Sequence, residues 1–194
     1  MNIAAIVLGY VLGSVPFASW VTRRQGIELR NAGSGNPGAA NVLRTAGVGP
    51  AIAVMLLDAA KGTAAVIAAR VMSGNVVIVT AAGLAAIVGH IYPAWSGFRG
   101  GKGVAASAGV FVVLAPVATA IAALVFVGTI AATRFISAGS LAGALALPVA
   151  AAISDLPEAV IGGTVLASVI VIGRHRDNLS RLMAGNERRI GLRL

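Results

Sequence analysis

The sequence predicts an all-α, polytopic membrane protein forming a single domain over residues 1–194, on three observations. Hydrophobic residues make up 58% of the chain and charged ones 11%, with a mean hydropathy of +0.91. A water-facing surface cannot be built from that composition, so lipid is the solvent. Apolar runs of near-spanning length recur along the chain, and in hydrocarbon a backbone must satisfy its own polar groups, which a helix does. The basic residues gather in alternate turns, the charge signature of a multi-pass protein.

The first apolar run covers residues 3–21. It has no basic segment before it, so it reads as a retained span, not a cleaved leader. Further spans are expected at 49–72, 76–91, 141–153 and 159–173, several of them shorter than the roughly 20 residues of a full crossing. The run 104–133 contains Pro116 and reads either as one kinked helix or as two short ones. Basic turns lie at 22–48, 92–103, 134–140 and 174–194; uncharged or acidic ones lie at 73–75 and 154–158.

Parity decides between those readings. A single crossing of 104–133 puts the six arginines after Gly173 outside and Asp155 with Glu158 inside, inverting the charge bias. Two crossings keep every basic turn in the cytoplasm. The expectation is seven transmembrane helices, some short, with the N-terminus outside, the C-terminus cytoplasmic and a hairpin turn near Pro116, at full membrane depth or re-entrant.

All the unusual loops then share the cytoplasmic face. The first, "NAGSGNPGAANVLRTAG" (31–47), carries Ser34, Asn36, Asn41 and Arg44. The second, "GHIYPAWSGFRGGKGVAAS" (89–107), brackets Lys102 with Gly100, Gly101 and Gly103 ahead of an apolar helix. Glycines let a backbone bring N–H groups close to an anion, and a helix N-terminus adds its dipole. The third, "SAGSL", opens a helix with Ser137 and Ser140; the fourth, "RHRDNLSRL", holds His175 and Asn178. Cations, amides, hydroxyls and N–H donors in one set suit phosphate.

Each feature alone has a plainer reading. The "GGKG" stretch lacks Walker spacing and serves equally as a tight turn. Ser137 and Ser140 read as helix caps, His175 as an interfacial residue, and Trp20, Tyr92 and Trp95 as members of interfacial belts. Asp58 and Lys61, three apart on a helix at membrane depth, read as an internal ion pair. The absence of cysteine excludes disulfides and thiol chemistry, and two histidines with six acidic residues argue against a protein-held metal or cofactor. A net charge of +9 placed beside apolar runs points to anionic substrate or membrane lipid, not nucleic acid. The oligomeric state is open, with a monomer allowed.

The segments "GSGNPGAANVLR", "GHIYPAWSGFRGGKGVA", "SAGSL" and "RHRDNLSRL", in this order over nearly the whole chain, resemble the bacterial acyl-phosphate-dependent glycerol-3-phosphate acyltransferases of the PlsY family. One departure is Ala40, where that family often has threonine before the asparagine matched by Asn41. The resemblance implies transfer of a fatty acyl group from acyl phosphate to the 1-hydroxyl of sn-glycerol 3-phosphate, giving lysophosphatidic acid and phosphate, at the cytoplasmic face of a bacterial inner membrane. It implies that Ser34 and neighbouring N–H groups hold the acyl phosphate, while Arg44, Lys102, Ser140, His175 and Asn178 hold and orient glycerol 3-phosphate.

Acyl phosphate is already an activated mixed anhydride, so no enzyme nucleophile is needed; bringing two phosphate-bearing substrates together is the task for the cations. The proton of the attacking hydroxyl goes either to the donor's own phosphoryl oxygen or to His175. Neither histidine has the aspartate five residues on that marks the usual glycerolipid acyltransferases: Trp95 follows His90 at that spacing and Ser180 follows His175. Gly139 and Gly143 are expected to leave room for the acyl chain between helices. The competing reading is a transporter for a small anion, opposed by basic groups gathered at one interface and by the lack of an inverted repeat.

Overall fold

The computed structural model describes residues 2–191; Met1 and Arg193, the last arginine of the basic tail, lie outside the described residues. Every regular element among the described residues is helical: α1 (Asn2–Gly13), α2 (Phe17–Arg23), α3 (Ala39–Thr45), α4 (Val48–Met72), α5 (Val76–Ile91), a 3₁₀ turn (Ala94–Ser96), α6 (Val104–Leu114), α7 (Pro116–Thr133), α8 (Ile136–Ala152), α9 (Glu158–Arg174) and α10 (Arg176–Met183). Four stretches are long and apolar enough to cross a membrane: Asn2–Arg23 taken through its break, Val48–Met72, Val76–Ser96 and Pro116–Thr133. A fifth is added if α9 and α10, bent by 59° at His175, count as one. The seven expected crossings therefore meet four or five helices of spanning length. The 11 residues of α6 and 17 of α8 rise about 17 and 26 Å, short of a hydrocarbon core of about 30 Å. The long apolar run does break where expected: α6 ends at Leu114, Ala115 leaves helical geometry, and Pro116 opens α7, where its missing N–H costs nothing.

The chain resolves into two compact units, residues up to Val113 and from Leu114 onward. In the first, α1, α4 and α5 pack together with small residues at the crossings. A Cβ at Gly9 or Gly13 would strike the carbonyls of Ala82 and Ala86, and one at Gly109 the carbonyl of Ala59. Lipid supplies no hydrophobic drive between helices, so this close backbone approach is what joins them.

The first expected span is not one helix. Pro16 cannot donate, so α1 stops at Gly13, and two of the carbonyls in the break are taken by side chains. Val15 O accepts from Lys61 Nζ at 2.9 Å and Ser14 O from Trp95 Nε1 at 2.8 Å. Trp95, expected only in an interfacial belt, thus also ties the 92–103 loop to the α1 break. Asp58 and Lys61 pair at 2.8 Å, both buried, as their spacing predicts. The basic turn 22–48 contains a helix of its own, α3, because Val42 packs with Ala18, Leu29, Ala51 and Val54 into a small core.

In the second unit α7 packs on α8 and α8 on α9. Helix α8 starts five residues before the expected 141, so Ser137 and Ser140 do not cap it; Phe135 holds that position. Gly139 and Gly143 do not leave an open channel either. A Cβ at Gly139 would lie 2.6 Å from Ile130 Cγ1, and one at Gly143 3.1 Å from Ala122 O, so α7 itself fills the space expected for an acyl chain. The segment 174–194, expected to be a turn and tail, includes α10. After it the chain folds back: Ile190 N–H donates to Arg134 O at 2.8 Å, and the Arg189 guanidinium lies 5.1 Å from the Phe135 ring centre.

Candidate active site

In the first unit, the 31–47 loop is organised by Asn41 on α3. Its buried side chain accepts from Ser34 N–H at 2.8 Å and donates to Ala32 O at 3.0 Å. Gly33, at φ +62°, faces the Asn41 amide so closely that a Cβ would collide with it. Asn41, read from sequence as a substrate contact, therefore has both amide atoms engaged in shaping the loop, and the Ser34 N–H is engaged with it. The side chain of Ser34 belongs to an exposed residue, Asn36 sits half-buried beside Gly38, and Arg44 lies exposed on the last turn of α3.

The 92–103 loop turns back over the end of α5. Gly100 N–H donates to Ile91 O at 2.9 Å and Gly101 N–H to His90 O at 3.1 Å, which caps two carbonyls that the helix terminus leaves over. These two N–H groups, read from sequence as a phosphate cradle, are thus spent on α5, and both glycines contribute close approach instead. Gly103, at φ +90°, turns the chain into α6, and Lys102 between them is half-buried.

A shallow cleft opens in this unit, lined by Arg30, Arg99, Lys61, Asp58, His90 and the Gly100–Gly101 backbone among others. Arg30 and Arg99 bring positive charge to the wall, while Lys61 is paired with Asp58, so the wall favours an anion. Of the candidate residues read from sequence, Gly100 and Gly101 line it. Arg30, Arg99 and His90 were missed, although Arg99 and His90 stand inside the quoted glycine-rich segment.

The second unit holds the other group. His175 is buried at the break between α9 and α10, and its Nδ1 lies 2.8 Å from Val171 O. A carbonyl only accepts, so Nδ1 carries a proton. Ser140 Oγ donates to Ile136 O at 2.9 Å. Ser137 and Asn178 converge on a residue that motif reading passed over, Glu187. Its Oε1 accepts from Asn178 Nδ2 at 2.8 Å and Ser137 Oγ at 3.1 Å, and its Oε2 from Arg181 Nε at 2.8 Å. Burial pushes the Glu187 carboxyl up, but hydrogen bonds from Arg181, Asn178 and Ser137, with the Arg181 charge, outweigh it and hold the group below its ordinary value. The one signal in the sequence is a lone acid within a basic tail.

No group of three or more histidine or acidic side chains able to hold a metal occurs among the described residues. What the two groups offer is charge, donors and a buried imidazole, which is equipment for anion binding and proton handling.

Comparison with known proteins adds a family to that chemistry. A family model described as glycerol-3-phosphate acyltransferase matches residues 3–185. The chain is 45% identical to the glycerol-3-phosphate acyltransferase of Synechococcus sp. (strain CC9902), over 98% of this chain and 96% of that one. It is 42% identical to that of Geobacter sulfurreducens, over 94% of each. Among solved structures it is similar to the glycerol 3-phosphate form of PlsY (YgiH), an integral membrane glycerol 3-phosphate acyltransferase, with TM-score 0.93 and 34% identity over 98% of this chain and 96% of that one. The lysophosphatidic acid form of PlsY aligns with TM-score 0.91 and 32% identity over 98% and 95%.

Proposed function

The chain belongs to the glycerol-3-phosphate acyltransferase family, and we propose that it transfers a fatty acyl group from acyl phosphate to the 1-hydroxyl of sn-glycerol 3-phosphate, releasing lysophosphatidic acid and phosphate. The observation that carries this reading is the backbone similarity to PlsY in two forms, one described by an acceptor substrate and one by a product of such a reaction. Acyl phosphate as donor is supported by chemistry: neither His90 nor His175 has an aspartate five residues on, and an acyl phosphate needs no enzyme nucleophile.

In this reading Ser34 holds the acyl phosphate on the loop shaped by Asn36 and Asn41. Arg44 and Lys102 neutralise the phosphates, with Gly100, Gly101 and Gly103 giving Lys102 its close approach. Ser137, Ser140 and Asn178 line the acceptor side beside His175. The acceptor's 1-oxygen bonds to the acyl carbon, the bond from that carbon to the phosphoryl oxygen breaks, and the hydroxyl proton passes to the departing phosphate. Charge neutralisation and positioning supply most of the acceleration. His175 helps to hold and orient glycerol 3-phosphate in this scheme, without taking the proton.

The enzyme is further proposed to work as one membrane-embedded domain in a bacterial inner membrane, with seven crossings, the N-terminus outside and the site on the cytoplasmic side. The support is charge parity: a hairpin over 104–133, whether it crosses twice or is re-entrant, keeps the basic turns on one side. The test is purified protein in mild detergent given palmitoyl phosphate with and without sn-glycerol 3-phosphate. Phosphate release that depends on the acceptor, matched by lysophosphatidic acid and lost in Arg44→Ala and Lys102→Ala, is the expected result. A folded protein that makes no product from this donor refutes the reading.

A further inference from the structure

We propose that Asp58 and His90 are positioning residues for the Lys102 loop: the buried pair forms the seat on which Gly100 and Gly101 rest, and so sets where Lys102 meets a substrate phosphate. The second half of this rests on the assignment of Lys102 made under Proposed function.

His90 lies on the last turn of α5 with 7% of its surface exposed. The loop is fastened to that turn at two points, through the Gly100 and Gly101 N–H groups, and the His90 ring fills the space over Gly101. A Cβ built at Gly101 would collide with His90 Nε2, so only glycine allows the loop to lie this low. On its other edge, His90 Nδ1 faces Asp58 Oδ1 at 3.5 Å, and no closer hydrogen-bond partner serves it among the described residues. Asp58 is in turn held by Lys61 at 2.8 Å, and Lys61 reaches Val15 O at 2.9 Å. One buried set therefore links the α1 break, α4, the end of α5 and the glycine loop.

A histidine facing a buried carboxylate also suits a general base; here the nitrogen opposite the carboxylate lies against the Gly101 backbone. The same contact is what a seat requires. Lys102 follows Gly101 by a single Cα–Cα step of about 3.8 Å, so any shift of Gly101 is passed to it directly. A charged cluster at membrane depth is costly unless its members satisfy one another and something depends on them; here the dependent part is the loop.

The test is a cycle on the full-length enzyme: Gly101→Ala, His90→Ala and the double variant, with Asp58→Asn and Lys102→Ala alongside. Steady-state constants are measured for both substrates and referred to folded protein, judged by monodisperse elution and melting temperature. The added methyl and the deleted ring occupy the same space. Each single change is expected to raise KM for glycerol 3-phosphate by about tenfold, or about 1.4 kcal/mol, with KM for acyl phosphate within about twofold of wild type. The double variant is expected to lose at least about tenfold less than the product of the singles, the signature of direct coupling. Asp58→Asn, which keeps the shape but not the charge, moves KM the same way.

Singles whose effects simply multiply, or a fall in kcat with KM unchanged, overturn the seat and leave His90 a packing residue. His90→Gln gives the same comparison if His90→Ala does not fold. An unchanged KM in Lys102→Ala alongside coupled Gly101 and His90 effects overturns the phosphate assignment while the seat stands. An unchanged KM there with uncoupled effects overturns both.

Discussion

Removing the Glu187 carboxylate tests the second unit most directly, because three donors depend on it. In Glu187→Ala the Asn178 amide and the Ser137 hydroxyl lose their acceptor while both residues stay buried. An orphaned buried donor costs about 1–3 kcal/mol, so two give about 3 kcal/mol with each taken near 1.5. The Arg181 contact adds little, since 43% of that side chain is exposed. For a chain of this size a loss of that order lowers the melting temperature by roughly 6–12 °C. Glu187→Gln keeps one acceptor oxygen and loses the charge, so about half the effect is expected. The assay is thermal unfolding in detergent from pH 7 downward, with acyl transfer followed in parallel. The folded carboxyl titrates below its reference value of 4.5, so its stabilisation is complete above about that pH and is lost as the pH falls through the lower folded value. Wild type should shed this contribution on acidification, whereas Glu187→Gln lacks it throughout. Melting of Glu187→Ala within about 2 °C of wild type, or an acid loss in Glu187→Gln equal to that of wild type, refutes the picture of a carboxylate carrying three donors.

Three further outcomes follow from the geometry. Asn41→Leu keeps the volume but orphans Ser34 N–H, so KM for acyl phosphate should rise about tenfold through the cost of about 1–3 kcal/mol of one lost acceptor; an unchanged KM removes Asn41 as the organiser of the loop. Lys61→Met strands Asp58 and should destabilise by about 3–5 kcal/mol, read as lost expression of folded protein, with Asp58→Asn added in the same chain restoring part of it. His175→Gln keeps a donor for Val171 O without a titrating nitrogen, so near-normal turnover is expected if the donor phosphate takes the proton; a fall of about a hundredfold or more assigns the base to His175.

Legibility in this chain follows the distance between partners. The run 76–91 became α5 at the same limits because apolar length alone specifies a helix in lipid. Asp58 and Lys61 were readable as a pair because three residues along a helix bring side chains to one face. Pro116 announces its break, and Pro16 carries the same signal inside a run whose apolar length reads as continuous. The charged and glycine-rich residues proposed to meet substrate were visible because few polar groups appear in so apolar a chain without a task. The residues that hold them in place were not. Glu187 lies 50 positions from Ser137, and His90 reaches Asp58 from another helix, so neither contact leaves a local period or spacing to read.

The difference is physical. A group that binds phosphate must be a cation or a donor, which narrows the residue type and marks it in the sequence. A group that supports it need only satisfy one buried atom or fill one space, which a carboxylate, an amide or a ring can each do. Gly101 lies between the two cases. Its glycine was read as a sign of anion approach through a free N–H, yet the N–H caps α5 and the missing Cβ makes room for the His90 ring. The same residue type answers both demands, and only the position of the ring tells them apart. Substitution of Gly101 is therefore expected to report on His90 before it reports on any phosphate.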